Sequence, residues 1–178
     1  SASPVLLRHI SESRDELDPL CVVSPDPGNV KAAGVVANAL DADFAIIDKR
    51  RKSGSDVSSE NIIGDVAGKN VLMVDDMIST AGTICEAAKL EKKHGAKKID
   101  VAATHAVLVG LAMERIAEAP IDRIVVTDTI PCGNRCDAIA DKLTELTVAE
   151  LLGTAIHNIH HNLSVSSLFR KGIDAGKR

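Results

Sequence analysis

The sequence predicts an α/β protein built on a doubly wound parallel sheet. Short apolar runs alternate with amphipathic stretches along the chain, the pattern of strand–helix–strand units. Of the 178 residues 45% are hydrophobic, yet only two are Phe and none is Trp or Tyr. Such a core is built from Val, Ile, Leu and Ala, as in sheets buried on both faces. The residues with most chemistry to offer follow the apolar runs. That is the carboxyl edge of the strands, where ligands bind in such sheets.

The elements follow in order. Residues 6–17 read as a short helix and 20–24 as a short buried strand. The strand runs into Pro25-Asp26-Pro27-Gly28-Asn29, a turn that two prolines make rigid. Residues 30–40 read as helix and 44–48 as the next strand. Residues 49–60 are polar and contain Ser53-Gly54-Ser55, the composition of a mobile loop. Residues 61–64 resemble a short edge strand. Residues 71–74 form an apolar strand from which Asp75 and Asp76 emerge. A helix then begins after the turn at Ser79 and Thr80, runs to about His94 and stops at Gly95. Strand 99–108, helix 111–118, strand 121–127, amphipathic helix 146–160 and a terminal strand 164–169 complete the chain. No internal repeat or low-complexity tract breaks it, and one domain over residues 1–178 is expected.

Composition narrows the function. The net charge is −4 and no basic stretch interleaves with aromatics, so nucleic acid is not an expected partner. No apolar run is long enough to span a membrane, and no signal peptide opens the chain, so a cytoplasmic location is expected. The start at Ser1, without Met, reads as cut or processed. Four cysteines in a chain this size do not make a disulfide scaffold. Cys21 and Cys85 sit in apolar runs and read as buried thiols; Cys132 and Cys136 form a single Cys-x-x-x-Cys, too few ligands for a closed zinc site.

The richest segment is Val71-Leu72-Met73-Val74-Asp75-Asp76-Met77-Ile78-Ser79-Thr80-Ala81-Gly82-Thr83. Two carboxylates precede a hydroxyl-rich turn at a helix start, where free N–H groups and the helix dipole favour an anion. Carboxylates accept hydrogen bonds from a diol while the turn holds a phosphate, so a sugar phosphate is the expected ligand. Ordinary helix capping uses the same residue types and is the plainer reading of the bare pattern. Asp26 and Gly28, in a similar turn, offer an Mg²⁺ ligand and a phosphate-binding backbone, or simply an Asx cap. Lys49-Arg50-Arg51-Lys52 is either a solvated basic turn or a cationic loop that closes over a polyphosphate. His157, His160 and His161 share a helix end without a carboxylate or cysteine partner, so metal binding there is not expected. His105 reads as a hydrogen-bonding group at a strand end, and His9 and His94 carry no signal.

Taken together, these segments resemble the second half of the ribose-phosphate pyrophosphokinases, also called phosphoribosyl pyrophosphate synthetases. The resemblance rests on Val23-Ser24-Pro25-Asp26, Ile47-Asp48-Lys49-Arg50-Arg51, Ile63-Gly64-Asp65-Val66 and Val74-Asp75-Asp76-Met77. It continues through Thr80-Ala81-Gly82-Thr83-Ile84, Thr104-His105, Val125-Val126-Thr127-Asp128-Thr129-Ile130-Pro131 and Ser164-Val165-Ser166-Ser167-Leu168-Phe169. It implies a sheet of the type I phosphoribosyltransferase kind and transfer of the diphosphoryl group of ATP to O1 of ribose 5-phosphate with Mg²⁺. By the same resemblance Asp75 and Asp76 engage the ribose hydroxyls. Ser79, Thr80, Ala81, Gly82 and Thr83 hold the 5-phosphate. Asp26, Gly28 and Asn29 form the pyrophosphate loop, with Asp26 on Mg²⁺. Lys49 and Arg51 are the catalytic cations. A homo-oligomer is implied, with interfaces altered by the absence of the family's first half, to which nothing here corresponds.

The chain departs from the family pattern at particular places. Asn29 stands where a second Gly is usual, Ala32 where an Arg is expected and Ser79 where the phosphate loop usually has Asp. Ala106 replaces a Gly, and Val109-Gly110-Leu111 replaces Ser-Gly-Pro. Two alternatives stand beside the synthetase: a non-catalytic, synthetase-associated regulatory subunit, favoured by the lost Arg and Asp, and a phosphoribosyltransferase acting on a nucleobase.

Overall fold

The computed structural model describes residues 2–51 and 58–168, with the side chains of 49–51 and 58–60 outside that description. Seven strands form one sheet: β1 (Leu20–Ser24), β2 (Asp43–Arg51), β3 (Ser58–Ile63), β4 (Asn70–Ile78), β5 (Lys98–Ala106), β6 (Arg123–Thr127) and β7 (Leu143–Leu146). Their spatial order is β3-β2-β1-β4-β5-β6-β7, parallel throughout except for the antiparallel β2–β3 pair. The helices are α1 (Ser3–Glu12), α2 (Val30–Leu40), α3 (Gly82–Lys93), α4 (Ala112–Glu118) and α5 (Ala149–His160).

The two faces of the sheet follow from the period-two alternation of its strands. Leu20, Val22, Leu72 and Val74 pack beneath Leu6, Leu7 and Ile10 of α1 and Val36, Ala37 and Leu40 of α2. The alternating set Cys21, Val23, Val71, Met73 and Val101 packs against Ile84, Cys85 and Ala88 of α3 and Ile116 of α4. Every residue of β1 is buried, as expected of a central parallel strand. Each such Val, Leu or Ile side chain contributes about 1.5–3 kcal/mol by leaving water. The start of α5 closes a small third cluster with Ala2 and Val5. Farther along, Leu152, Ile156 and Ile159 remain exposed.

The predicted doubly wound sheet is therefore the observed one, and β1 and α2 have the expected bounds. Other elements differ for physical reasons. The first helix starts at Ser3, with Pro4 in its first turn, and ends at Glu12; a 3-10 turn, Arg14–Leu17, completes the predicted span. β4 runs four residues beyond Val74 because Met77 and Ile78 still pair with His105 and Ala106 of β5. Asp75 and Asp76 thus lie inside the strand's last turn of pleat, not beyond it. The expected loop over 49–60 is strand at both ends, since Lys49, Arg50 and Arg51 pair with Glu60, Ser59 and Ser58. Residues 52–57 lie outside the described residues. β7 and a 3-10 segment, Gly133–Ile139, occupy a stretch for which no element was expected, and the last helix begins at Ala149 instead of 146. No strand forms over 164–168. There Leu168 N–H donates to the Val165 carbonyl at 3.1 Å and Ser167 Oγ to the Ser164 carbonyl at 2.7 Å, which makes a turn.

Candidate functional site

The strand order reverses between β1 and β4, and the segments that follow these two strands meet at that crevice. After β1, Asp26 Oδ1 accepts the N–H groups of Gly28 at 2.8 Å and Asn29 at 3.1 Å, while Ser24 Oγ donates to the Asp26 carbonyl at 2.7 Å. A Cβ on residue 28 would stand 3.1 Å from Asp26 Oδ1, so glycine lets the carboxylate close on the turn. Asn29 Nδ2 donates to the Val74 carbonyl and ties this turn to β4 one residue before the acidic pair. Asn29 departs from the family pattern, and its amide joins the turn to β4.

Asp75 is half-buried and Asp76 exposed. The Asp76 N–H donates to Asp75 Oδ1 at 2.8 Å. Burial pushes the Asp75 carboxyl up to about 6, and the negative charges of Asp76 and Asp26 add to the push. Among the described residues no cation pairs with any of the three.

The turn after β4 is arranged so that its carbonyls face the protein. The Ile78 carbonyl accepts from Leu108 N–H at 2.9 Å, Ser79 from Val109 N–H at 3.0 Å, Thr80 from Arg115 Nη1 at 2.8 Å and Ala81 from Cys85 N–H at 3.0 Å. Ala81 holds φ +59°, the left-handed region, to make the turn. The amides of Ser79, Thr80 and Ala81 have no acceptor among the described residues. Those of the first turn of α3 have none within a helix by construction. Carbonyls turned in and amides turned out form an anion-binding concavity. The hydroxyl residues Ser79, Thr80 and Thr83 are exposed around it.

Beyond the crevice, the ends of β5 and β6 form a polar network. Thr127 Oγ1 and Thr129 Oγ1 both donate to the Thr104 carbonyl, at 2.7 and 3.0 Å. Thr129 Oγ1 also lies 2.9 Å from His105 Nδ1, which joins the ring to this network. His105 is thus a strand-end hydrogen-bonding group, as its position suggested. Asp128 accepts from Val148 N–H at 2.9 Å, and this bond, with the Thr147 hydroxyl, holds its carboxyl below the usual range. Arg135 donates to the carbonyls of Ala106, Val107 and Pro131 and fixes the segment from which Leu108 and Val109 reach the turn after β4.

The structure thus brings together Asp26, Gly28, Asn29, Asp75, Asp76, Ser79, Thr80, Ala81, Gly82 and Thr83. The backbone of Lys49 and Arg51 runs past the end of β1, whose last residue pairs with Ile46; their side chains lie outside the described set. Cys21, Cys85, Cys132 and Cys136 are all buried and free. No three His, Cys, Asp or Glu side chains among the described residues converge as a metal-ligand set, and no described helix is long and apolar enough to cross a membrane. Arg115 and Arg135 escaped the sequence reading, because a cation that bonds to backbone carbonyls leaves no pattern of residue types.

Residues 56–170 match the family model described as the phosphoribosyl synthetase-associated domain. The chain belongs to that family. It is 49% identical over 171 residues to a ribose-phosphate pyrophosphokinase of Rhodopirellula baltica, covering 96% of this chain and 54% of that one. A crystal structure of phosphoribosylpyrophosphate synthetase from Mycobacterium smegmatis superposes with a TM-score of 0.81 at 37% identity, over 90% of this chain and 51% of that one. An adenine phosphoribosyltransferase structure shares the fold alone, with a TM-score of 0.53 at 19% identity over 70% of this chain and 76% of that one. The sheet is of the type I phosphoribosyltransferase kind, as the resemblance implied. The chain spans about half the length of the curated relatives it matches.

Proposed function

We propose that this chain is the sugar-phosphate half of a ribose-phosphate diphosphokinase, which transfers the diphosphoryl group of ATP to O1 of ribose 5-phosphate. The observation that carries the reading is the turn after β4, whose four successive inward carbonyls leave outward amides beside two carboxylates that no cation among the described residues pairs. The amides and hydroxyls of Ser79, Thr80, Ala81, Gly82 and Thr83 receive the 5-phosphate. Asp75 and Asp76 accept hydrogen bonds from the ribose hydroxyls. The turn Asp26–Asn29 receives the pyrophosphate, and Lys49 and Arg51 approach the transferring phosphates. The names of the relatives and the order of the matching segments support these assignments.

In the reaction the O1 hydroxyl attacks the β-phosphorus of ATP. The O1–Pβ bond forms, the bond from Pβ to the bridging oxygen of AMP breaks, O1 loses its proton and AMP leaves. The protein's task is positioning and charge neutralisation. The diol bonds to Asp75 and Asp76 fix the ring, and the phosphate cradle fixes its far end, so that O1 faces the pyrophosphate turn. Burial raises Asp75 and the nearby charges of Asp76 and Asp26 add to it, a crowding of carboxylates that a divalent cation relieves. Mg²⁺ binds through one or two carboxylates and substrate phosphates, a mode that Asp26 fits without a three-ligand set. When bound, Mg²⁺ neutralises the phosphate oxygens. The homo-oligomer and the cytoplasmic location implied by the resemblance are part of the same proposal. The test is ATP-dependent formation of phosphoribosyl pyrophosphate and AMP by the full-length protein. Activity abolished by Asp75→Asn is the expected result. A parent protein that folds, binds ribose 5-phosphate and makes no product would instead support the regulatory-subunit reading.

A further inference from the structure

The four carbonyls of the turn after β4 are not held alike. Those of Ile78, Ser79 and Ala81 accept backbone N–H groups, and among the described residues the Thr80 carbonyl accepts only the Arg115 side chain, at 2.8 Å. The Thr80 carbonyl and the Ala81 N–H belong to one peptide plane and point in opposite directions. Drawing this carbonyl inward therefore turns the Ala81 N–H outward into the anion concavity. The orientation is strained, because Ala81 holds φ +59° with a Cβ. Rotating that one peptide plane by about half a turn would carry Ala81 to negative φ, the ordinary region for an L-residue. It would also turn the N–H away from the concavity. The relaxed peptide is thus the one that loses the ligand.

We infer that Arg115 is a positioning residue that latches the Thr80–Ala81 peptide in its anion-binding orientation. Its place in the fold suits the role. Arg115 stands on α4, whose Ala112 and Ile116 are fully buried, so the latch has a rigid base. Its Nη1 also lies 3.7 Å from where a Gly82 Cβ would be, so the guanidinium covers the same turn. The remaining guanidinium hydrogens have no acceptor among the described residues.

This inference rests on the proposed ribose 5-phosphate site, and two measurements separate the two. The first reads the latch without ligand: the carbonyl-carbon shift of Thr80 and the amide-nitrogen shift of Ala81 by NMR. Both move in Arg115→Met and return toward parent values in Arg115→Lys, which still donates to a carbonyl. The second is calorimetric titration of the chain with ribose 5-phosphate. Arg115→Met binds about ten- to a hundredfold more weakly, the usual cost of losing a charged hydrogen-bond donor. Arg115→Lys, which keeps a charged donor, binds more tightly than Arg115→Met and closer to the parent. Adding Ala81→Gly to Arg115→Met recovers at least half of the lost binding energy, because glycine adopts positive φ without strain. Unmoved Thr80 and Ala81 shifts in Arg115→Met would overturn the latch whatever the ligand does. So would parent-like binding by Arg115→Met, or no recovery with Ala81→Gly, which would make Arg115 a charge on the phosphate and not a latch. A parent chain that binds no ribose 5-phosphate would sink the proposed site, while the shift measurement would still decide the latch.

Discussion

At the amino-terminal edge of the sheet Lys69 lies 2.7 Å from Asp43 and 3.7 Å from Asp65, and Arg123 lies 2.7 Å from the buried Asp100. Across the sheet, at its carboxyl edge, Asp26, Asp75 and Asp76 crowd one another, and no described cation answers them. The backbone repeats the contrast. At the first edge Asp122 accepts the Ile99 N–H at 2.8 Å and Lys97 N–H reaches the Lys69 carbonyl at 2.8 Å. At the second, amides stand open and Ala81 is held at positive φ. One edge has settled its polar groups within the fold; the other leaves them open among the described residues, where the proposed ligand would sit. Folding energy and binding energy are thus drawn from opposite ends of the same strands, and mutations at the two ends should fail in different assays.

The sharpest separation comes from the acidic pair. Replacing Asp75 and Asp76 together by Asn removes two charge-assisted acceptors, about 1.5–3 kcal/mol each. We expect ribose 5-phosphate binding to weaken by roughly a thousandfold, a loss of about 4 kcal/mol. Thermal stability should hold or rise, since a crowded pair of like charges is gone. Calorimetry and a melting curve on the same sample check both halves, and a large drop in melting temperature with intact binding would break the comparison. At the other edge Arg123→Ala strands Asp100, which is 4% exposed and already pushed upward by burial against the pull of Arg123. Stranding a buried charge costs about 3 kcal/mol. Urea unfolding should register that loss, while the affinity of the folded fraction for ribose 5-phosphate stays at the parent value.

Glu91 is the exception that sharpens the rule. It belongs to the settled edge, yet it is fully buried on α3 and neither carboxyl oxygen has a hydrogen-bond partner among the described residues. Burial alone raises it from 4.5 to about 8. An acid whose folded pKa lies above its unfolded one binds its proton more tightly when folded. Its stabilising share is present below the unfolded value and is lost as pH rises from about 4.5 to about 8. Glu91→Met removes the group at similar volume. It should stabilise the fold by at least about 2 kcal/mol at pH 8, less at pH 5, and flatten the pH dependence between them. Equal effects of the substitution at both pH values would show that Glu91 has found a partner.

How much of this was legible in the sequence differs between the edges. The carboxyl edge announced itself, because Asp-Asp before Ser-Thr-x-Gly-Thr, and Pro-Asp-Pro-Gly, each carry a local chemical pattern. Those loops did meet, and the alternation that predicted the sheet also placed β1 and α2 correctly. The registers were not legible. β4 extends past its acidic pair because β5 continues beside it, a fact of pairing that neither strand states alone. β7 was missed because Leu-Thr-Glu-Leu is too short and too polar to stand out. Arg115 and Arg135 act on carbonyls distant in sequence, and any surface arginine reads the same. Glu91 could have been found: Ile84, Ala87, Ala88 and Glu91 share one helical face, and the first three are apolar.

The smallest effect tests the open edge itself. The Asp75 carboxyl is pushed up to about 6, chiefly by burial and further by its two acidic neighbours. A diol needs the ionised form as acceptor on both oxygens, so affinity should climb about tenfold between pH 5 and pH 7. A sugar phosphate takes up its own second proton near pH 6, so a binding curve alone mixes two titrations. The free chain separates them. Carbon-13 NMR of the Asp75 carboxyl reads its midpoint without ligand, and in Asp75→Asn the remaining pH dependence of binding belongs to the phosphate. In Asp76→Asn the Asp75 midpoint should fall, because one of its neighbouring charges is gone while its burial stays. An Asp75 midpoint near 4 in the parent chain would mean that this edge is already solvated or compensated, and the contrast between the two edges would then rest on the backbone amides of the turn after β4 alone.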